Sequence, residues 1–288
     1  GIIFVDFYGV IIKFIGNSYS SPQLAFFRNF FALIPIIFLF IITRDIKNIF
    51  ADVSKKFLFL CFLRGISFVL MQIFYYISII NMNFATATTL TFSSPIFIVV
   101  LSMLVLKEKI GLFRWSAIFI GFGGVLFIMN PTSDLFSYIS ILPLLAALCW
   151  AISNIVLKFI PEDISSVKIN FYSINFSYIG SLIILLFSSD FSPVENSFDW
   201  LLLILIGILG GVASILFSFA YRVVSPSTLA PFEYLGIPSS FILGWIFFYE
   251  APIEQLFPGV LGIVAAGFII IWREKKLSIG KIVSNKIH

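Results

Sequence analysis

Five ionisable side chains stand inside long apolar stretches of the sequence, and they are the groups with which this chain could do chemistry. They are Asp6, Lys13, Arg28, Arg64 and Glu233. A charged group near the centre of a bilayer costs about 2.5 kcal/mol or more unless it is paired or faces water, so each one is a candidate for a functional site. Glu233 lies in "STLAPFEYLG", and a carboxylate there suits the binding of a positively charged group or a proton.

The residue types that hydrolysis or metal binding requires are scarce. The single histidine is His288, and no sequence of the form G-x-x-x-x-G-K-[ST] is present to bind a nucleotide phosphate. The "GFGG" at 121–124 lies within an apolar stretch and follows no strand, so it is not a dinucleotide-binding fingerprint. We therefore predict that the chain is not an enzyme, binds no metal and uses no cofactor.

The elements that must position these residues are predicted to be membrane-spanning helices. The 288 residues are 60% hydrophobic and 11% charged, with a mean hydropathy of +1.10, whereas a soluble domain is about 25% charged. Apolar stretches long enough to cross a bilayer as helices occur ten times. They lie near residues 2–17, 23–43, 57–80, 84–106, 112–130, 139–160, 165–187, 199–221, 226–249 and 257–272.

The basic residues are distributed asymmetrically. Apart from Lys13, Arg28 and Arg64, every lysine and arginine lies at one set of span ends, and the opposite connections carry none. By the positive-inside rule this predicts that both termini are cytoplasmic. We expect a multi-pass protein of the bacterial cytoplasmic (inner) membrane. The net charge of +4 is thus a signal of topology, and no nucleic-acid partner is expected.

The two halves of the sequence are similar to each other. Residues 84–108 align with residues 225–250, so that Pro95 meets Pro238 and, after a slip of one residue, Glu108 meets Glu250. We predict a first five-helix repeat over residues 1–130, a second over 136–273, and a basic cytoplasmic tail over 274–288. Because five is odd, the second repeat is inverted, an arrangement typical of transporters that work by alternating access; a duplicated structural bundle is the alternative.

Several motifs together resemble a known family. They are "LAFFRNFFA" in the second span, "LRG" at 63–65, "SSPIFIVVLSMLVLKEKIGLFRWSAIFIGFGGVLFI" at 93–128, and "APFEYLGIPSSFILGWIFFYE". Their order and spacing resemble the EamA members of the drug/metabolite transporter superfamily over nearly the whole chain. The resemblance implies an all-α polytopic membrane protein, with ten transmembrane helices as two inverted five-helix repeats around a central cavity. The second span and "STLAPFEYLG" are similar to the S-adenosylmethionine uptake branch, although Glu233 stands where those carriers tend to have a basic residue.

Depth and helical spacing predict which side chains form the site. At about 1.5 Å per residue, Glu233 and Arg64 reach similar depths from the cytoplasmic side, so we expect them to pair. We expect Arg28 and Lys13 to form a more external basic region. For both arginines the alternative is a packing role, and for Asp6 it is a place at the cytoplasmic interface. The predicted substrate-binding residues are Glu233, Tyr234, Arg64, Arg28, Lys13, Tyr75, Trp150 and Asn154.

Three functions remain open on the sequence. The first is a secondary active transporter of a small amino-bearing or cationic metabolite, with Glu233 as counter-charge and a proton as a candidate coupling ion. The second is an uptake carrier for a larger zwitterionic or anionic nutrient, such as S-adenosylmethionine, a nucleoside or a vitamin, held by the basic residues. The third is a membrane scaffold that transports nothing. The partners expected are a small solute, the lipid bilayer, and a proton or counter-solute.

Overall fold

The computed structural model describes residues 1–43, 49–51, 53–108, 111–129, 138–250, 257–262, 264–266 and 268–269. Within these ranges the regular structure is helical throughout. The helices are α1 (Ile2–Ile15), α2 (Ser21–Phe31), α3 (Leu33–Ile42), α4 (Lys55–Asn81), α5 (Phe84–Thr91), α6 (Ser94–Val105), α7 (Leu112–Met129), α8 (Ile141–Val156), α9 (Ser166–Ser188), α10 (Ser197–Val223), α11 (Pro226–Leu229) and α12 (Gly236–Phe248). Short 3₁₀ segments cover Tyr138–Ser140, Leu157–Phe159 and Ala230–Leu235.

Six helical segments are long and apolar enough to cross a membrane. They are Ser21–Ile42, Lys55–Asn81, Phe84–Val105, Tyr138–Phe159, Ser166–Ser188 and Ser197–Val223. Large apolar side chains are exposed on their outer faces, among them Phe38 and Phe187, as is expected of surfaces that face lipid rather than water. The protein is therefore an all-helical, multi-pass membrane protein. The tenth predicted span, 257–272, lies partly outside the described residues, as does the whole predicted tail 274–288.

Polar side chains cap the N-termini of three long helices. Ser54 accepts a hydrogen bond from the backbone N–H of Phe57 (3.1 Å), and Ser165 accepts one from Lys168 (3.2 Å). Asn196 does the same for Phe198 at 3.0 Å. Each cap satisfies one of the backbone donors that a helix leaves unpaired in its first turn. These caps fix where α4, α9 and α10 begin, and thus the height of their polar residues.

Besides the predicted span at 23–43, which is divided between α2 and α3, two predicted spans near the site are broken rather than continuous. The span predicted at 84–106 is divided between α5 and α6, and the one at 226–249 consists of α11, a 3₁₀ segment and α12. Pro95 and Pro231 stand at these breaks and lack the backbone N–H that a continuous helix uses. The breaks touch each other, since a Cβ on Gly236 would lie 2.2 Å from Cζ of Phe92. Glycine at 236 is what allows this approach.

The polar stripes of the helices face inward. Asn170 and Ser177 on α9 are fully buried, and Ser214 and Ser218 on α10 are at most 4% exposed. The apolar core surrounds α1, α2, α4, α8 and α10, so the middle of the bundle combines tight apolar packing with buried hydroxyl and amide groups. Lipid offers such groups no partners, which explains why they turn toward neighbouring helices.

Candidate functional site

Glu233 lies in the broken segment between α11 and α12, where it meets three other helices. Its Oε2 accepts a hydrogen bond from Ser94 Oγ (2.7 Å), while Oε1 accepts from Trp150 Nε1 (2.8 Å) and Tyr221 Oη (2.6 Å). The side chain is 5% exposed. Three uncharged donors from α6, α8 and α10 thus hold the carboxylate in place, as a buried polar group requires.

The carboxylate lines a cavity within the bundle. The space between atoms in this cavity amounts to about 570 Å³, part of it open to the surroundings. Its polar lining consists of Asp6, Thr88, Thr91, Ser94 and Glu233. Its aromatic lining consists of Tyr8, Tyr75, Phe92, Trp150 and Phe217. Two carboxyl groups and five aromatic rings therefore line one cavity, and aromatic faces are groups that attract cations.

A second opening reaches the same carboxylate from another direction. It lies between the start of α1, the end of α10 and the start of α12, and its lining is mostly apolar. Ile2, Phe217 and Glu233 line both spaces. Glu233 therefore stands where the two spaces meet.

Of the predicted site residues, Glu233, Trp150 and Tyr75 line the cavity together. Asn154 does not; it is 1% exposed, and its amide donates to the backbone carbonyl of Trp150 at 3.0 Å. Tyr234 is also buried, but its hydroxyl lies 3.3 Å from where a Cβ on Gly121 would stand, on the side of α7. Adjacent residues in a 3₁₀ segment point about 120° apart, so only one of the pair 233 and 234 faces the cavity.

The expected pairing of Arg64 with Glu233 is wrong. Arg64 donates from Nη2 to Ser218 Oγ (2.7 Å) and from Nη1 to Asn170 Oδ1 (3.3 Å), on α10 and α9. The prediction rested on depth along the membrane, which says nothing about the direction in which a side chain points around its helix. Polar partners were available to each group separately, so the two charges have no need of each other.

Arg28 is also held by the scaffold and not by the cavity. Nη2 donates to the backbone carbonyl of Gly210 (2.7 Å) and to Ser214 Oγ (2.9 Å), and the guanidinium lies 4.9 Å from the centre of the Phe68 ring. A Cβ on Gly210 would stand 2.5 Å from Arg28 Nε, so the guanidinium lies directly against the backbone of α10. This is the packing role that was the alternative for both arginines.

Lys13 does not lie with Arg28 in one basic region. Its Nζ donates to both oxygens of Glu250, at 2.6 and 2.9 Å, and to the backbone carbonyl of Met82 at 2.9 Å. Glu250 also accepts a hydrogen bond from the backbone N–H of Phe84 at 2.6 Å. Because 13 follows 6 by two helical turns, this ion pair lies about 10 Å from Asp6 along α1.

Sequence reasoning missed several residues of the site. Ser94 precedes Pro95 at a helix break, and Tyr221 falls on the polar stripe of α10, so both carried a signal that was not used. Glu250 was noticed only as the counterpart of Glu108. Asp6 is 1% exposed and lines the cavity, so its place is within the bundle and not at an interface. Outside the spans, burial and a hydrogen bond to Asp199 raise the pKa of Tyr19 to about 12.

Comparison with known proteins identifies the family of this chain. The model of the EamA-like transporter family matches residues 1–130 and 137–272. An S-adenosylmethionine uptake transporter of Rickettsia bellii is 28% identical over 275 residues, which cover 95% of this chain and 91% of that protein. A riboflavin transporter of Vibrio cholerae is 32% identical over 188 residues, which cover 65% of this chain and 62% of that protein.

One further relative and one solved structure are also similar to this chain. A pseudopaline exporter of Pseudomonas aeruginosa is 25% identical over 268 residues, 92% of this chain and 91% of that protein. One crystal structure superimposes with a TM-score of 0.66 over 96% of this chain and 98% of its own, at 15% identity, which speaks for the fold alone. Both halves of the sequence match the family model, and the likeness is thus not confined to one segment. The chain belongs to the EamA-like transporter family of the drug/metabolite transporter superfamily, and it is a membrane transporter and not an enzyme.

Proposed function

We propose that this chain is a secondary active transporter that takes up a cofactor-sized nutrient, S-adenosylmethionine or a compound of similar size and charge, by alternating access across the bacterial cytoplasmic membrane. The observation that carries the proposal is the cavity at Glu233 in a chain that aligns with S-adenosylmethionine uptake transporters over almost its whole length. Size favours this solute over the small amino-bearing metabolite that Glu233 alone suggested, because the uptake and riboflavin relatives carry larger compounds.

The proposed architecture is ten transmembrane helices in two inverted five-helix repeats, residues 1–130 and 136–273, around the central cavity. The separate matches of the family model to residues 1–130 and 137–272 support this division. So does the meeting of the two helix breaks at Phe92 and Gly236, since inverted-repeat transporters bind solute where discontinuous helices of the two halves meet. Basic residues at one set of ends support cytoplasmic termini.

Within this architecture each side chain has a task. Glu233, fixed by Ser94, Trp150 and Tyr221, supplies negative charge at the point where the two spaces meet. The aromatic walls supply flat surfaces against which an adenine ring or a cationic centre packs. Arg28 and Arg64 hold the helices in register and do not contact the solute. A proton or a second solute occupies the carboxylate when the cavity returns empty.

The test is uptake of labelled S-adenosylmethionine into proteoliposomes that contain the purified chain. We expect time-dependent accumulation that unlabelled S-adenosylmethionine competes away and that Glu233→Gln abolishes. Glu195→Gln is the matched control, because Glu195 is an exposed glutamate in the connection before α10. If neither S-adenosylmethionine nor riboflavin enters protein-containing vesicles faster than empty ones, the proposed solute class is wrong.

A further inference from the structure

We propose that Asp6 is a second solute ligand and that it makes the cavity selective for organic cations that carry a sulfonium or ammonium group beside an aromatic ring system. This rests on the proposed function, because it assigns a chemical requirement to the same cavity. The inference adds a residue from α1, in the first half of the chain, to the site that contains Glu233 from the second half. It also predicts that neutral compounds of equal size are poor substrates.

The first argument is the position of Asp6. The side chain is 1% exposed and lines the cavity, and one of its oxygens, Oδ2, accepts a hydrogen bond from Ser239 Oγ. The other oxygen, Oδ1, has no hydrogen-bond partner in the part of the chain that the structure describes. This oxygen is therefore available to a group that enters the cavity, and a cation that bonds to it would stabilise the ionised form of Asp6.

The second argument is the place of the buried cations. Arg28 bonds to α10, Arg64 bonds to α9 and α10, and Lys13 bonds to Glu250. Among the described residues no lysine or arginine pairs with Asp6 or with Glu233. Two carboxyl groups therefore share one cavity without a protein counter-charge, and a solute cation is the group that balances them.

The third argument is the remaining wall of the cavity. Tyr8, Tyr75 and Trp150 line it next to the carboxyl groups. Aromatic faces attract cations whose charge is spread over methyl or methylene groups, and they also stack on flat rings. A strongly hydrated inorganic ion gains little from such walls. The combination of two carboxyl groups and aromatic rings thus suits an organic cation.

Binding of two matched compounds tests the proposal. S-adenosylhomocysteine equals S-adenosylmethionine without the methyl group that gives sulfur its positive charge. We expect wild-type protein to bind S-adenosylmethionine at least about tenfold more tightly than S-adenosylhomocysteine, and we expect Asp6→Asn to lower this ratio, with the remainder contributed by the charge of Glu233. Asp190→Asn, at an exposed aspartate, is the control and keeps the ratio.

A structural role of Asp6 predicts a different pattern. If Asp6 acted only through its bond to Ser239, Ser239→Ala would reduce the ratio, whereas Asp6→Asn, which still accepts that bond, would leave it unchanged. An unchanged ratio in Asp6→Asn overturns this inference while leaving uptake of S-adenosylmethionine intact. Wild-type protein that binds neither compound and transports neither overturns the proposed function and this inference with it.

A separate observation concerns the two ends of the bundle. Lys107 and Tyr249 have positive φ values of 55° and 54°, and the residues after them make equivalent backbone bonds, Glu108 N–H to Ser102 and Glu250 N–H to Gly244, both at 3.2 Å. The same spacing along the chain separates these residue pairs. The broken helices α6 and α12 therefore end in the same backbone geometry, each followed by a glutamate.

Each glutamate bonds to the start of the helix in the other half. Glu250 accepts from the backbone N–H of Phe84, the first residue of α5, and Glu108 accepts from Ser227 Oγ in the first turn of α11. The position that corresponds to Phe84 is Pro226, which has no N–H to donate. A hydroxyl group therefore takes the place of the backbone donor at the Glu108 end.

Only one of the two ends is an ion pair. Lys13 joins α1 to Glu250 and to Met82, whereas the described residues show no lysine or arginine paired with Glu108. Lys158, near the Glu108 end, donates instead to the backbone carbonyl of Arg222. The charge pattern places Glu250 on the outer side. The geometry points to Lys13 and Glu250 as a latch that keeps the outer side of the cavity closed and must open before solute enters.

Accessibility of a cavity residue tests the latch. Thr91 lines the cavity, so Thr91→Cys places a thiol there. All variants in this experiment also carry alanine in place of the native Cys61 and Cys149. In intact cells we expect Lys13→Gln to raise the rate at which a membrane-impermeant thiol reagent labels Cys at position 91 from outside by several-fold. Lys13→Gln is chosen because it keeps the bond between Glu250 and Phe84, and Glu195→Gln is again the control. Equal labelling rates with and without Lys13, in protein of unchanged thermal stability, overturn the latch.

Discussion

The buried cations and the buried carboxylates of this bundle are used in opposite ways. Arg28 and Arg64 bond to carbonyl, amide and hydroxyl groups of α9 and α10, and neither lines the cavity. Asp6 and Glu233 both line it. A charge within a membrane protein is thus not by itself a sign of a binding site, because a guanidinium group with five donors is well suited to tie helices together. The groups that face the cavity decide which solute fits.

We expect the largest effect from removing the charge of the cavity carboxylate Glu233. Glu233→Gln keeps the shape of the side chain and an oxygen that accepts from Trp150 and Tyr221, but it removes the charge. We expect solute binding to weaken by about 2–5 kcal/mol, a factor of at least about 30, because the cation loses its counter-charge in a buried site. Thermal stability in detergent should stay close to that of the wild type. Transport and melting temperature measured on the same preparation check both parts.

Replacement of a buried arginine should lower stability and leave solute binding intact, the opposite of what we expect for Glu233. Arg64→Ala removes two charge-assisted hydrogen bonds, so we expect the free energy of unfolding to fall by about 2–4 kcal/mol, while the protein that remains folded still binds solute. Because Arg64 and Glu233 do not contact each other, the effects of Arg64→Ala and Glu233→Gln on stability should add. Recovery of stability in the double variant would instead mean that the two charges form an ion pair.

Gly210→Ala sharpens the same comparison without changing any charge. The new methyl group would stand 2.5 Å from Arg28 Nε and would displace the guanidinium from α10. Overpacking of this kind costs about 1–3 kcal/mol of stability. We expect the loss to appear in the melting temperature and not in the affinity for solute. A lower affinity at unchanged stability would move Arg28 from the scaffold to the site.

The smallest effect concerns Tyr19, which lies outside the membrane-spanning helices. Tyr19 Oη donates to Asp199 Oδ2 at 2.7 Å, in the connection before α2. We expect Tyr19→Phe to cost about 1 kcal/mol of stability and to leave transport unchanged, because a net hydrogen bond is worth that much where water competes. Since the pKa of Tyr19 is raised to about 12, the phenol favours the folded state below pH 10, and that contribution is lost as the pH rises to 12. A pH titration of stability with and without Tyr19 measures it.

The sequence predicted an all-helical, multi-pass membrane protein, and in the described residues six segments are long and apolar enough to cross a bilayer, because length and hydropathy determine where helices can do so. The predicted residues Glu233, Trp150 and Tyr75 line one cavity; that they bind the solute stays a prediction. The sequence failed on partners: Arg64 and Glu233 reach the same depth but point to different neighbours. Tyr234 and Asn154 are not part of the cavity lining, because the side of a helix that faces the cavity depends on packing that the local sequence does not determine; whether they contact the solute stays a prediction. Glu250 was visible in the internal repeat, but its pairing with Lys13 required the fold.

The most direct measurement is equilibrium binding of labelled S-adenosylmethionine to three purified proteins, the wild type, Glu233→Gln and Arg64→Ala, each corrected for its folded fraction. The account predicts that Glu233→Gln loses binding by a factor of about 30 or more and that Arg64→Ala stays within about threefold of the wild type. Loss of binding in folded Arg64→Ala with wild-type affinity in Glu233→Gln would contradict it.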